Sequence, residues 1–129
     1  MYDVEVDPNQ LKKFTKNIEQ GEFKMLNLLK FKKDGGKENY ARYLAESGPF
    51  AKAVGASVEY LGIPKELLTG KEDWDLLLLV NYPSRKAFLD LITNPGYLKA
   101  HEWRKKAVER AVLYPTTPST PPEYIKSLL

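Results

Sequence analysis

The chain has 129 residues, of which 43% are apolar and 29% charged. That composition and length suit one ordinary globular domain and exclude disordered and fibrous classes. It carries no cysteine and a single histidine, His101, which excludes disulfides, thiolate nucleophiles, cysteine-based metal centres and any two-histidine metal site within one chain. The formal charge is only +3, with acids and bases interleaved. This points to a solvated surface rather than a nucleic-acid patch.

No apolar run approaches the ~20 residues that cross a bilayer. Residues 1–9 hold acids and no basic stretch, so no secretory leader is expected and the predicted location is cytoplasmic. No Asp/Glu cluster has metal-ligand spacing, so neither metal nor cofactor is expected.

In chain order, Asp7-Pro8-Asn9-Gln10 is a helix start: Asp7 can cap and Pro8 suits the first helical position. Leu11, Phe14 and Ile18 follow at helical spacing, and Gly21 can end the helix. Phe23 to Phe31 is apolar on both parities, with Phe23, Met25, Leu29 and Phe31 on one face and Leu26 and Leu28 on the other, as a strand covered on both sides would be. Gly35-Gly36 lies in a loop.

A helix from about Lys37 carries the stripe Tyr40, Tyr43, Leu44, Ala51 and Val54. Gly48-Pro49 should bend or break it, and Gly55 closes it. Ala56 to Ile63 reads as the second strand and Trp74 to Tyr82 as the third, apolar on both faces. Leu67-Leu68 between them suggests a connection folded back over the body. Ser84 caps the next helix, Asn94-Pro95-Gly96 interrupts it, and helix resumes over about Tyr97 to Glu109. Arg110 to Tyr114 makes a last strand. Thr120-Pro121-Pro122-Glu123 opens a short terminal helix.

After the leading helix the order is β-α-β-β-α-β. That is the ferredoxin-like α+β arrangement, an antiparallel sheet with helices on one face. Three parts follow: an N-terminal helical extension at 1–21, the ferredoxin-like domain at 22–115, and a Pro-rich tail with a short helix at 116–129. Helices cover one sheet face only, yet the first and third strands are apolar on both. A partner sheet is the economical cover, so a homodimer is expected, with the leading helix and the tail as the rival cover.

The stretch Met25-Leu26-Asn27-Leu28-Leu29-Lys30-Phe31, then Tyr40-Ala41-Arg42-Tyr43-Leu44, Gly55, Trp74-Asp75, Tyr82-Pro83-Ser84-Arg85, Tyr97 and Arg104 resembles the bacterial family called domain of unknown function 1330. The resemblance covers roughly residues 22 to 115. It implies the dimeric α/β-barrel superfamily, in which two ferredoxin-like subunits pack sheet to sheet. Superfamily members include cofactor-independent monooxygenases, muconolactone isomerases, haem-binding proteins and simple ligand binders, so the fold by itself assigns no function.

Several residues are candidates for chemistry. Asn27 is a mid-strand amide on the helix-facing parity, suited to bond a ligand carbonyl or oxyanion, or else a neighbouring loop. His101 and Arg104 share an inward helix face with Tyr97, where a proton shuttle and an acid-binding cation would sit. The plainer alternative pairs Arg104 with Glu46, Asp75 or a carbonyl. The resemblance favours Arg104.

Tyr40 and Tyr43 can line a pocket with hydroxyls or serve as core, and Trp74 can stack on a planar ligand. Trp103 falls on the opposite side of its helix. Arg85 at a helix start calls for a carboxylate or an anion nearby. No nucleophile elbow, dinucleotide fingerprint or phosphate loop is present.

The expected function is binding of a small apolar or aromatic ligand bearing a carbonyl or carboxylate, by a protein that contacts neither nucleic acid nor membrane. Asn27 and His101 are the candidate catalytic residues, and Tyr40, Tyr43, Trp74 and Arg104 the candidate ligand-binding ones. If the protein is an enzyme, cofactor-independent oxygenation or isomerisation is the class. The rival is a non-catalytic dimeric module.

Overall fold

The computed structural model describes residues 4–129. Nine elements follow in order: α1 (Pro8–Lys16), β1 (Phe23–Phe31), α2 (Gly36–Ala53), β2 (Ser57–Gly62), β3 (Leu76–Tyr82), α3 (Arg85–Ile92), α4 (Pro95–Ala107), β4 (Val108–Thr116) and α5 (Pro121–Leu128). The four strands form one antiparallel sheet in the order β2-β3-β1-β4. This is the ferredoxin-like α+β fold.

The central pair β1 and β3 is in register from Phe23 opposite Tyr82 to Leu29 opposite Leu76. Its helix-facing side is sealed: Met25, Leu29, Leu76 and Leu78 are buried, Leu29 completely. Phe14, Phe23, Tyr82 and Phe88 complete one half of the core in edge-on and stacked ring contacts. Leu29, Tyr40, Ala107 and Val108 form the other half.

The opposite face of the same strands stays partly open. Leu26, Leu28, Leu77 and Leu79 are half-buried. By the registers, Tyr60 of β2 and Val112 and Tyr114 of β4 flank them on that face, and Tyr60 and Tyr114 are exposed. Neither rival cover reaches it. The leading helix α1 sends Phe14 into the helix-side core. The terminal helix α5 buries no residue and leaves Tyr124, Ile125 and Leu128 exposed.

Local chemistry explains where boundaries depart from the periodicity. The N-cap of α1 is Asp7, whose carboxylate accepts from the amides of Asn9 and Gln10. The helix stops at Lys16, short of Gly21, because the Asn17 side chain takes the Glu19 amide at 2.7 Å and turns the chain. Ile18 is therefore exposed.

Helix α2 runs unbroken through Pro49; its packing on sheet and α4 outweighs the one lost backbone bond. Asn94 accepts from the amides of Gly96 and Tyr97, and Pro95 stands first in the helix, so Asn94-Pro95-Gly96 starts α4 as a helix separate from α3. At the C-terminus, Thr120 caps α5 through the Glu123 amide.

Strand β3 begins at Leu76, two residues later than the alternation predicts. The reason is Asp75. Its amide donates to the Leu29 carbonyl at 2.8 Å, while its carboxylate accepts the Phe31 amide at 2.8 Å. A side chain thus takes the place of the next strand residue, and the alternation fails there. β4 is longer than expected because its ladder with β1 continues to Lys24 opposite Thr116. Leu67 and Leu68 are exposed and do not fold back over the body.

Leu29→Ala would leave a void where nothing can collapse, so it is expected to lower unfolding free energy by about 2–5 kcal/mol in urea denaturation. Leu28→Ala, on the open face one residue away, is expected to cost less than half as much in the monomeric chain. Equal losses at a chain concentration where sedimentation shows only monomer would contradict the two-sided description of the sheet.

Candidate functional site

Between the helix-facing side of the sheet and helices α2 and α4 lies a cavity of about 760 Å³. That is the size of a small-molecule site. Its room comes from small side chains: Ser47, Gly48 and Ala51 on α2 and Ala111 on β4 all line it. The N-terminal segment from Val4 to Asp7 closes one side.

The sheet contributes Asn27. Its side-chain amide donates to the Met25 carbonyl at 3.2 Å. Among the described residues nothing donates to its side-chain oxygen, which leaves that acceptor available at the cavity wall. Among the described residues it makes no bond to a loop or helix end, the alternative considered from the sequence.

Helix α2 contributes Tyr40 and Tyr43, one turn apart, and α4 contributes Tyr97, His101 and Arg104. The Tyr43 and Tyr97 hydroxyls bond each other at 2.9 Å. Burial pushes the phenols of Tyr40, Tyr82 and Tyr97 above their ordinary value; nearby Tyr43 adds to each shift, and Arg104 draws Tyr40 and Tyr97 partly back. These phenols therefore hold their protons at neutral pH and serve as hydrogen-bond donors, not bases.

Arg104 is 8% exposed. Its guanidinium donates to the Val4 carbonyl at 2.7 Å. Neither carboxylate considered for it takes that role. Glu46 pairs with Arg42 on the same helix, and Asp75 holds the Phe31 amide and Lys30. His101 faces Glu5, with Nε2 at 2.9 Å from the carboxylate. Its Nδ1 is buried without a hydrogen-bond partner among the described residues. A bond from Nε2 to Glu5 leaves Nδ1 as the ring's second hydrogen-bonding position.

Trp74 is not part of this cavity. It stacks under the Arg110 guanidinium, 4.7 Å from its ring centre, and Arg110 also bonds the Asp73 carbonyl and ion-pairs with Glu72. The break in alternation at Asp75 is what carries Trp74 away from the side shared by Leu76 and Leu78. Trp103 is packed between Arg42 and Lys106. Arg85 finds its expected carboxylate in Glu19 at 3.8 Å and lies over the Phe14 ring.

The structure thus brings together Asn27, Tyr40, Tyr43, His101 and Arg104, with Tyr97 on the inward α4 face expected for it, and adds Tyr82 and Glu5. Tyr82 has the helix-facing parity of Leu78 and Val80, and Tyr97 the helical spacing of His101, so both were within reach of periodicity. Nothing in the sequence signals Glu5, which meets His101 across 96 positions.

Residues 30–114 match the family described as domain of unknown function 1330. The chain belongs to the DUF1330 family. No functionally curated protein matches it. A solved protein of unknown function from Rhodopseudomonas palustris, RPA0582, is 30% identical over 94% of this chain and 100% of its own, with a TM-score of 0.87. A dimeric ferredoxin-like protein of unknown function from Jannaschia sp. CCS1 is 12% identical over 76% of this chain and 100% of its own, with a TM-score of 0.62.

A proposed antibiotic biosynthesis monooxygenase from Caulobacter crescentus is 14% identical over 78% of this chain and 92% of its own, at 0.57. These last two likenesses show the ferredoxin-like fold that this DUF1330 chain shares, and no more.

The raised phenols have a measurable consequence. A folded-state phenol that holds its proton contributes stability that is complete below the ordinary phenol value of about 10 and is lost as pH climbs beyond it. In a titration followed by tyrosinate absorbance, Tyr40, Tyr82 and Tyr97 are expected to ionise only as the chain unfolds. Ionisation of all eight tyrosines while near-ultraviolet circular dichroism stays native would contradict this account of the cavity wall.

Proposed function

We propose that this protein is a homodimeric small-molecule-binding protein whose cavity takes an apolar or aromatic ligand bearing one carbonyl or carboxylate. The observation that carries the reading is the convergence, on a single 760 Å³ cavity, of one amide, two tyrosines, a buried arginine and a histidine drawn from three separate elements. Core packing alone has no use for a buried cation and a bare imidazole nitrogen side by side, because burying either without a ligand is costly.

The catalytic form of this reading assigns His101 as the base. Its Nδ1 would take a proton from carbon beside the ligand carbonyl, with Asn27 and the protonated phenols steadying the oxygen that gains charge. Return of that proton to a different carbon is an isomerisation and needs no cofactor. Attack of the same carbanion on dioxygen is the cofactor-independent oxygenase alternative, and the fold shared with the Caulobacter protein supports carrying it alongside. Tyr40 and Tyr97 are excluded as the base because burial keeps them protonated.

The dimer rests on the open sheet face. Burying a fully exposed Leu-sized side chain contributes about 1.5–3 kcal/mol, and Leu26, Leu28, Leu77 and Leu79, each half-buried in the described chain, form a central patch that gains part of that from further cover. A sheet-to-sheet partner supplies that cover, and the dimeric state of the Jannaschia protein supports the same arrangement here.

A thermal-shift screen of aromatic ketones and acids tests the binding claim. A ligand present at a hundred times its Kd adds about 2.7 kcal/mol, a shift of several degrees in Tm. Asn27→Ala is expected to abolish the shift while moving the unliganded Tm by no more than a few degrees. The same shift in the variant and the parent protein would contradict the assignment of the cavity.

A further inference from the structure

Residues 4–6 form no helix or strand. Among the described residues they are held to the body by two side-chain bonds, Arg104 to the Val4 carbonyl at 2.7 Å and His101 to the Glu5 carboxylate at 2.9 Å. Both anchors are candidate site residues on one face of α4, Arg104 for binding and His101 for catalysis. Val4, Glu5 and Val6 in turn line the same cavity as Asn27 and Tyr40. The segment therefore sits where a ligand's polar end would sit.

The charge at this spot is unbalanced. Arg104 is 8% exposed and, among the described residues, its one hydrogen-bond partner is a neutral carbonyl. No carboxylate of the described chain lies within ion-pair distance of it. A buried guanidinium calls for an anion, since charge-assisted pairs are about twice as strong as neutral ones. Glu5 brings a carboxylate into the same corner but delivers it to His101, and that side chain remains about half exposed.

We propose that the cavity is built for an organic anion, an apolar or aromatic body ending in one carboxylate-like group, and that Glu5 is a built-in competitor for that group's seat. This rests on the reading of the cavity as a ligand site and adds the ligand's charge and its gate. An arriving anion displaces the strap, pairs with Arg104 in place of the Val4 carbonyl, and accepts from His101 in place of Glu5. The apolar body then lies against Met25, Leu78 and the tyrosine rings.

Two fluorescent probes with one aromatic skeleton separate the claims. One is 1-anilinonaphthalene-8-sulfonate, an anion; the other is N-phenyl-1-naphthylamine, its neutral counterpart. Titrated into the full chain, both are expected to bind. Glu5→Gln removes the competing charge from a half-exposed position and leaves the fold intact. It is expected to tighten the anionic probe about threefold to tenfold, the scale of one solvent-screened hydrogen bond, and to leave the neutral probe within about twofold.

Arg104→Met is expected to weaken the anionic probe at least about tenfold and to spare the neutral one, with circular dichroism confirming the fold. Equal tightening of both probes by Glu5→Gln would reduce the strap to a steric cover and overturn the proposal. So would an anion affinity untouched by Glu5→Gln. Neutral-probe binding with no preference tied to Glu5 or Arg104 would refute the anion claim while sparing the ligand cavity, whereas binding of neither probe would refute both.

Discussion

One layer of helices can cover only one face of a four-stranded sheet, and this sheet is apolar on both. That mismatch organises the molecule. Leu29 and Leu78 on one side are sealed by α2 and α4, while Leu28 and Leu79, one residue away in each strand, point to a face that the described chain leaves half open. Hydrophobic burial scales with area removed from water, so the half-open second face still gains from a partner. The ferredoxin-like topology satisfies one demand within the chain, and the proposed partner sheet would answer the other.

The covered face is also where chemistry collects, because it is incompletely filled. Small side chains on α2 leave space opposite the sheet, and the groups around that space are polar in a patterned way. Phenols raised by burial supply donors, Asn27 supplies a spare carbonyl oxygen, and Arg104 supplies a buried positive charge. In a low-dielectric cavity each of these interacts more strongly than it would in water. The Val4 to Asp7 strap answers part of that demand from within the chain, and its bonds to Arg104 and His101 tie the N-terminus to the chemistry of α4.

Much of this was legible in the residues. Short runs apolar on both faces in β1 and β3, caps at Asp7, Ser84 and Thr120, and the order of elements were enough for the fold. Helical spacing put His101 and Arg104 on one inward face, and strand parity put Asn27 beside Met25, as observed. The failures share a cause, which is side chains standing in for backbone. Asp75 bonds the Phe31 amide and ends the alternation that placed Trp74 in the cavity. Asn17 does the same to α1. Periodicity assumes an uninterrupted ladder and cannot register such substitutions. The meeting of Glu5 with His101 is a product of tertiary closure and has no local signature at all.

Native mass spectrometry of the freshly purified chain tests the two-faced account most directly, because it weighs both faces at once. The account predicts a species at twice the 14.8 kDa chain mass, with small-molecule adducts held in up to one site per chain. A bare monomer at micromolar concentration would contradict it, showing that the open sheet face needs no partner and that the cavity retains no ligand.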